Sequence, residues 1–263
     1  MYYPLISSMN KTSLPSYTSR TTAFASATAI TDTTILNALN TFDLGLISNG
    51  LDTKMKALYP FVGGTASTHK YNFMDARDLD VAFRLQFNGG WTHSANGILG
   101  NATNSYSKTF FNTLNYQNSN HISLYIATNK DELAIDMGVI AGSNGIDIES
   151  RVSNNAYFFN FNSAYSTVSN IDSRGFFVNN RTSSILSKVF KSNSLIATNT
   201  VTSANFGGDI SIGARYDAGN GIYQYFASKQ YGFSSIGTGL TDGEATTFYN
   251  LVQAMQTSLT RNV

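Results

Sequence analysis

Cysteine is absent from the 263 residues, so disulfides and thiolate-bound metals are excluded and the fold must stand on packing alone. Proline occurs three times and tryptophan once. Charge is scarce as well. Asp, Glu, Lys and Arg make up 13% of the chain, with a formal net charge of +1, against about 25% charged in an ordinary soluble domain. No basic field is available to hold a polyphosphate, which argues against nucleic acid as a partner. No stretch approaches the ~20 apolar residues of a membrane helix, so membrane insertion is not expected. The start, Met1-Tyr-Tyr-Pro4-Leu-Ile-Ser-Ser, has neither the basic nor the apolar region of a secretory signal, which points to synthesis in a cytoplasm.

Apolar and aromatic residues are plentiful. They include 18 Phe and 15 Tyr within a hydrophobic share of 42%. That composition excludes a disordered chain and supplies one large β core or two small ones. Surface polarity must come mainly from Ser, Thr, Asn and Gln. Residues 1–29 are rich in Ser, Thr and Ala without a period, and read as an arm, either a flexible leader or a segment that orders against a partner. Thr31 then caps a helix with Ile35, Leu39, Phe42 and Leu46 on one side, stopped by Asn49-Gly50. A second, shorter helix over Leu51–Leu58 would end before Pro60, so residues 30–60 read as a helical hairpin.

From Asp80 the hydrophobic period becomes two. Val81-Phe83-Leu85-Phe87 is the first such run, followed by runs around Ile122, Leu133–Val139, Ile146, Tyr157–Phe161, Phe176, Ile185–Phe190, Ile210 and Tyr231. Turn pairs separate them, among them Asn96-Gly97, Asn144-Gly145 and Asn220-Gly221. Short strands with regular turns and no helices between them predict a mainly β fold, an antiparallel β-sandwich over residues 61–263. It closes with one amphipathic helix. Thr241 and Glu244 form its capping box, and Ala245, Phe248, Val252, Met255 and Leu259 form its apolar stripe.

Few residues suggest chemistry. The stretch Gly145-Ile146-Asp147-Ile148-Glu149 is similar to the Glu-x-Asp-x-Glu strand of family 16 glycoside hydrolases, but Gly145 stands where the first carboxylate belongs. Retention needs two carboxyl groups facing each other across the sugar, so Asp147, Glu149 and Arg151 read as a solvated charged row. Glu132 and Asp136 read as surface charges. His69, His93 and His121 lack metal-type spacing. Asp75, Asp78 and Asp80 invite calcium, but Lys70 and Arg77 nearby favour a loop pinned by ion pairs. Neither a metal nor a cofactor is expected. Gly237-x-Gly239 lacks the third glycine and the βαβ setting of a dinucleotide site. Trp91 in Gly89-Gly90-Trp91 is either a core plug or a sugar-stacking ring. With Tyr106, Tyr116 and Asn118 it completes the candidate carbohydrate contacts, a composition suited to adaptable polar recognition.

Several stretches in order resemble a module of tailed-phage structural proteins. They are Tyr59-Pro-Phe-Val-Gly-Gly-Thr-Ala-Ser-Thr-His-Lys70, Asp78-Leu-Asp-Val-Ala-Phe-Arg84 with Gly89-Gly-Trp-Thr-His-Ser94, Asp172-Ser-Arg-Gly-Phe-Phe-Val-Asn-Asn-Arg-Thr-Ser183, and Ser235-Ile-Gly-Thr-Gly-Leu-Thr-Asp242. The similarity covers roughly Ile30 to Val263. It implies a concanavalin A-like (laminin-G-like) jelly-roll in a head-fibre, decoration or tail-fibre protein on the virion surface. Other virion proteins and further copies of the chain, as a dimer or trimer, are the implied partners, with adhesion to host glycans as an extension. It carries no binding residues over. The expected function is thus a non-enzymatic virion structural protein. The alternatives are a soluble lectin-like module and, less favoured, a polysaccharide hydrolase.

Overall fold

The computed structural model describes residues 17–263. Helix α1 (Ser19–Thr28) leads into α2 (Thr33–Ser48), and α3 (Ala66–His69) and α4 (Asp242–Ser258) follow. The first strands are β1 (Met55–Tyr59), β2 (Gln86–Asn88), β3 (Thr92–Ser94), β4 (Gly97–Leu99), β5 (Tyr106–Asn112) and β6 (Asn120–Ile126). Then come β7 (Met137–Ala141), β8 (Asn144–Val152), β9 (Asn155–Phe158), β10 (Asn160–Asn162), β11 (Ser166–Ser169) and β12 (Gly175–Ser183). The last are β13 (Leu186–Lys191), β14 (Ser194–Asn199), β15 (Asp209–Ile212), β16 (Arg215–Asp217), β17 (Ile222–Gln224) and β18 (Gln230–Gly237).

These strands form the expected sandwich. One sheet of eight runs β14-β13-β12-β6-β18-β4-β3, with β1 also on β18. The other, of ten, runs β11-β9-β8-β7-β15-β5-β2, with β10 on β8 and the β16–β17 hairpin on β7. Pairing is antiparallel except between β16 and β7. Strands alternate their side chains between faces. On β12, Phe177 joins the core between the sheets, whereas Phe176 and Val178 join a second core under the helices. In that second core Phe24, Leu39, Phe42, Leu46, Phe248 and Val252 cover the eight-stranded sheet. Among the described residues no helix covers the outer face of the ten-stranded sheet.

The helical hairpin is real but is built from other residues. Its first arm is α1, inside the segment expected to be an arm. Thr18 caps it by accepting from Thr21 N, Phe24 packs edge-on against Phe73 at 5.4 Å, and Arg20 reaches the buried Asp43 of α2 at 2.7 Å. Residues 1–16 of the expected arm lie outside the described residues. The cap of α2 is Asp32, one residue after Thr31, and accepts from Thr34 N and Ile35 N.

Leu51–Leu58 is not a helix. Asp52–Lys54 makes one 3-10 turn and β1 pairs with β18. Ala57 and Tyr59 face the inter-sheet core while Met55 and Leu58 face the helices. A bulge between Met55 and Ala57 breaks the alternation, and burial on both faces leaves no polar side to read. The Val81–Phe87 strand shrinks to β2. Asp80–Ala82 is a 3-10 turn, Phe83 is left-handed at φ 58°, and Val81 is 75% exposed. Leu133 likewise lies outside β7 and is exposed. The turn expected at Asn144-Gly145 falls at Gly142-Ser143, with Ala141 opposite Asn144.

Two arginines hold the interior. Arg181 on β12 is fully buried. It donates to the Asn160 backbone oxygen at 2.6 and 3.1 Å, to Asn160 Oδ1 at 3.0 Å, and to the carbonyls of Ser183, Ser184 and Val201 at 3.1–3.4 Å. Arg261 ties the chain's end to Pro60 O (2.6 Å), Phe61 O (2.9 Å), Gly232 O (2.9 Å) and Gln256 Oε1 (2.7 Å). The closing helix has its capping box. Glu244 N donates to Thr241 Oγ1 at 3.3 Å and Thr241 N donates to Glu244 Oε2 at 2.7 Å. Lys54 adds an ion pair to Glu244 at 2.6 Å. Thr241→Ala should cost about 1 kcal/mol, read as a lower urea midpoint with an unchanged denaturant slope.

Candidate functional site

Strand β8 carries the site. Ile146 and Ile148 point into the inter-sheet core, so Asp147 and Glu149 point to the outer face of the ten-stranded sheet. They are not solvated there, contrary to expectation: Asp147 is fully buried and Glu149 is 7% exposed. Their cover comes from two distant segments. Tyr165 stacks on Phe159 at 3.6 Å between ring centroids and donates its hydroxyl to Glu149 Oε1 at 2.9 Å. Arg215 enters on β16, held beside Gly138 by the parallel pairing. Its Nη1 lies 3.7 Å from Asp147 Oδ2 and 3.4 Å from the Tyr165 hydroxyl. Its guanidinium sits over the Tyr225 ring at 5.0 Å. Gly138 is required because a Cβ there would collide with that of Asp147.

Leu133, Ile135, Glu149, Tyr165, Arg215 and Tyr225 line a cavity of about 160 Å³. That is below the ~300–1,000 Å³ of sites that swallow a whole drug-sized ligand, so it suits one terminal group of a larger partner. Burial pushes the Asp147 carboxyl well above the usual carboxylate range, and the neighbouring Glu149 charge pushes the same way. Burial also raises Glu149, opposed by the Tyr165 hydrogen bond and the Arg215 charge. Asp147 Oδ1 accepts from Phe159 N at 2.8 Å. Asp147 Oδ2 and Arg215 Nε are buried without a hydrogen-bond partner among the described residues, a combination typical of functional sites. Only Glu149 of the two carboxyls lines the cavity.

The other candidates lie elsewhere. Trp91 is half-buried against Phe87 and Tyr231, with centroids at 6.0 and 6.4 Å. Its ring fills the space over Gly213 (φ 81°), where a Cβ would strike it. Tyr106 stacks on Tyr223 at 3.7 Å, Tyr116 packs on Phe111 at 4.8 Å, and Asn118 is exposed and accepts from Ser203 Oγ at 2.7 Å. Tyr116 and Asn118 share the turn after β5, and none of the four lines the cavity.

Glu132 and Asp136 are not surface charges. Asp136 is fully buried and Glu132 accepts from Ser228 N and Oγ at 3.0 and 2.6 Å. The fold joins His69 and His93, distant in sequence, with Nδ1 atoms 3.0 Å apart. Gly64 N donates to His69 Nε2 at 3.2 Å, so His69 Nδ1 carries the proton given to His93. Asp75, Asp78 and Asp80 are ion-paired with Arg77, with Lys70 and Arg84, and with Arg84 respectively. Among the described residues no three His, Asp or Glu side chains gather to hold a metal.

Two packed, mainly antiparallel sheets, one covered by the helices and the other carrying the small polar cavity, define a jelly-roll β-sandwich by architecture. No family model matches the chain, and no curated protein matches it. Solved structures do. One is a receptor binding domain, with a TM-score of 0.54, 14% identity, 78% of this chain covered and 52% of that one. Another is the binding domain of botulinum neurotoxin DC in complex with rat synaptotagmin II, with a TM-score of 0.54, 15% identity, and 77% and 52% covered. A third concerns botulinum neurotoxin type C, whose cell entry depends on interaction with two ganglioside molecules (TM-score 0.53, 14% identity, 78% and 53% covered). The chain spans about half the length of these structures. At such identities the likeness shows the fold alone.

Proposed function

We propose that this chain is a non-enzymatic tailed-phage virion protein, of head-fibre, decoration or tail-fibre type, that binds host surface glycans through the Glu149–Tyr165–Arg215–Tyr225 cavity. The carrying observation is that cavity, where Arg215 Nε, buried and without a hydrogen-bond partner among the described residues, stands beside the Tyr165 and Tyr225 rings. Hydroxyl groups of a sugar pair with a carboxylate and a guanidinium, and its apolar face stacks on a tyrosine. The receptor-binding neighbours support a binding module of this architecture, and the phage assignment rests on the sequence resemblance. Turnover is disfavoured because Asp147 is fully buried and does not line the cavity, so two carboxyls cannot flank one glycosidic bond there. Asn118 and the open edges of Tyr106 and Tyr116 are proposed as secondary contacts.

Glycan-array hits confirmed by calorimetry should fall at least tenfold with Arg215→Ala and several-fold with Tyr165→Phe. Labelling with a specific antibody should place the protein on the particle. Failure of every glycan to bind would remove the adhesion reading. Reducing-sugar release that disappears with Glu149→Gln would replace it with hydrolysis.

A further inference from the structure

Between the sheets lies a second buried polar cluster that the glycan reading does not use. Lys229 and Asp136 are both fully buried. Lys229 Nζ is 3.2 Å from Asp136 Oδ1 and 3.3 Å from Oδ2. Near-equal distances to the two oxygens place the carboxyl carbon between them within about 3.6 Å of the nitrogen, close to attack range. Oδ1 also accepts from the Tyr231 hydroxyl at 2.8 Å, and Oδ2 accepts from Ser150 N at 2.8 Å and Ser150 Oγ at 2.6 Å. Those donors are set to hold negative charge on the carboxyl oxygens, as an oxyanion hole does. A second carboxylate, Glu132, has its Oε1 3.8 Å from the same nitrogen and is held by Ser228.

We infer that Lys229 and Asp136 are placed to condense into an intramolecular isopeptide bond, with Glu132 as the proton carrier. Glu132 takes a proton from Nζ, and the freed lone pair attacks Asp136 Cγ. The tetrahedral oxygens are held by Tyr231 and Ser150. Glu132 returns that proton to one of these oxygens and carries a second one to it from the nitrogen, so the oxygen leaves as water while the C–N bond remains. One amide forms, one water is lost, and no oxidant, metal or cofactor takes part. The driving force is the site's dryness: a buried ion pair bears the desolvation of two charges, and an amide with a departed water bears none.

The position gives the bond a purpose. Asp136 directly precedes β7 of the ten-stranded sheet, and Lys229 directly precedes β18 of the eight-stranded sheet. The link would therefore staple one sheet to the other across 93 residues of sequence, in a chain that has no cysteine for a disulfide.

Intact-mass measurement of the purified, folded full chain tests it. The expected mass is one water below that of the sequence, and proteolysis should release a branched peptide joining the Asp136 and Lys229 segments. Glu132→Gln should fold and show the full sequence mass. Asp136→Asn should condense by losing ammonia instead of water. A wild-type mass equal to the sequence mass after prolonged incubation overturns the inference and leaves the cluster a buried ion pair. So does a lost water that peptide mapping places elsewhere.

Discussion

Replacing Arg181 with methionine is expected to destabilise the fold by about 3–5 kcal/mol. The methionine fills much of the space but donates nothing. The carbonyls of Asn160, Ser183, Ser184 and Val201 would then lose their shared donor at the inner side of β12. The buried Asn160 oxygens would carry their full desolvation penalty, while the partly buried carbonyls of Ser183, Ser184 and Val201 can turn to water, and Ser184 O keeps its bond from Ser203 N. Arg181→Lys should lie between, because one ammonium cannot span acceptors set out for a planar fork. Arg261→Met should cost at least as much as Arg181→Met, since its bonds to Pro60 O, Phe61 O and Gly232 O are buried, whereas those of Arg181 to Ser183, Ser184 and Val201 are only partly so. Urea unfolding of the four proteins reads the order. An Arg181→Met loss below about 1 kcal/mol would show that water already penetrates between the sheets.

Acidification is expected to weaken the fold between about pH 6.5 and pH 4 through two buried histidines. Burial pushes His69 down to about 3, aided by the His93 and Arg261 charges. Burial likewise pushes His121 down to about 4, partly opposed by its hydrogen bond to Thr238 O. The unfolded chain takes up these protons near pH 6.5 and the folded chain does not. Stability is therefore fully present above that pH and falls as pH drops towards the folded values, by about 2 kcal/mol per histidine at pH 5. Asp147 and Glu149 act in the opposite sense. Their raised values mean that the folded state holds protons the unfolded state has released, so their contribution is lost as pH rises through the carboxylate range. Urea midpoints at pH 7, 6 and 5 should show a net fall. His121→Gln should remove about half of the histidine contribution, and Asp147→Asn should steepen the fall by removing an offset. A flat profile in all three proteins would contradict the buried neutral state of the imidazoles.

How far these features were legible depended on whether one segment contained them. The strand around Ile122, Leu124 and Ile126 and the box of Thr241 with Glu244 are local patterns, and both stand as read. Helix α1 escaped because its Ser- and Thr-rich face offers Phe24 as its one buried aromatic ring. Strand β1 escaped because Met55 and Leu58 serve one core while Ala57 and Tyr59 serve the other, and the bulge shifts their spacing towards a helix's. The cavity was half visible. Asp147 and Glu149 share a face by spacing alone, but the tyrosine and arginine that bury them arrive from later strands and loops. Nothing in the chain announces that Tyr165 meets Glu149 or that Lys229 meets Asp136. Both pairs are products of topology, invisible to any window of sequence.

The pairing of β1 with β18 also sets the order in which the molecule can be made. Met55 is opposite Gly237, and β6 reaches the same strand from its other side. During synthesis this strand of the eight-stranded sheet thus leaves the ribosome after all the other described strands, just ahead of the helix that covers it. Until then β1 and β6 have edges without their permanent neighbour, and the apolar faces of Phe176 and Val178 lack the rings of Phe233 and Phe248. Contacts of such long sequence separation fold slowly and leave strand edges open to other chains in the meantime. The sandwich therefore cannot close until β18 and α4 have emerged, and its yield in a cell should depend more on translation rate and chaperone supply than on the stability of the finished sandwich.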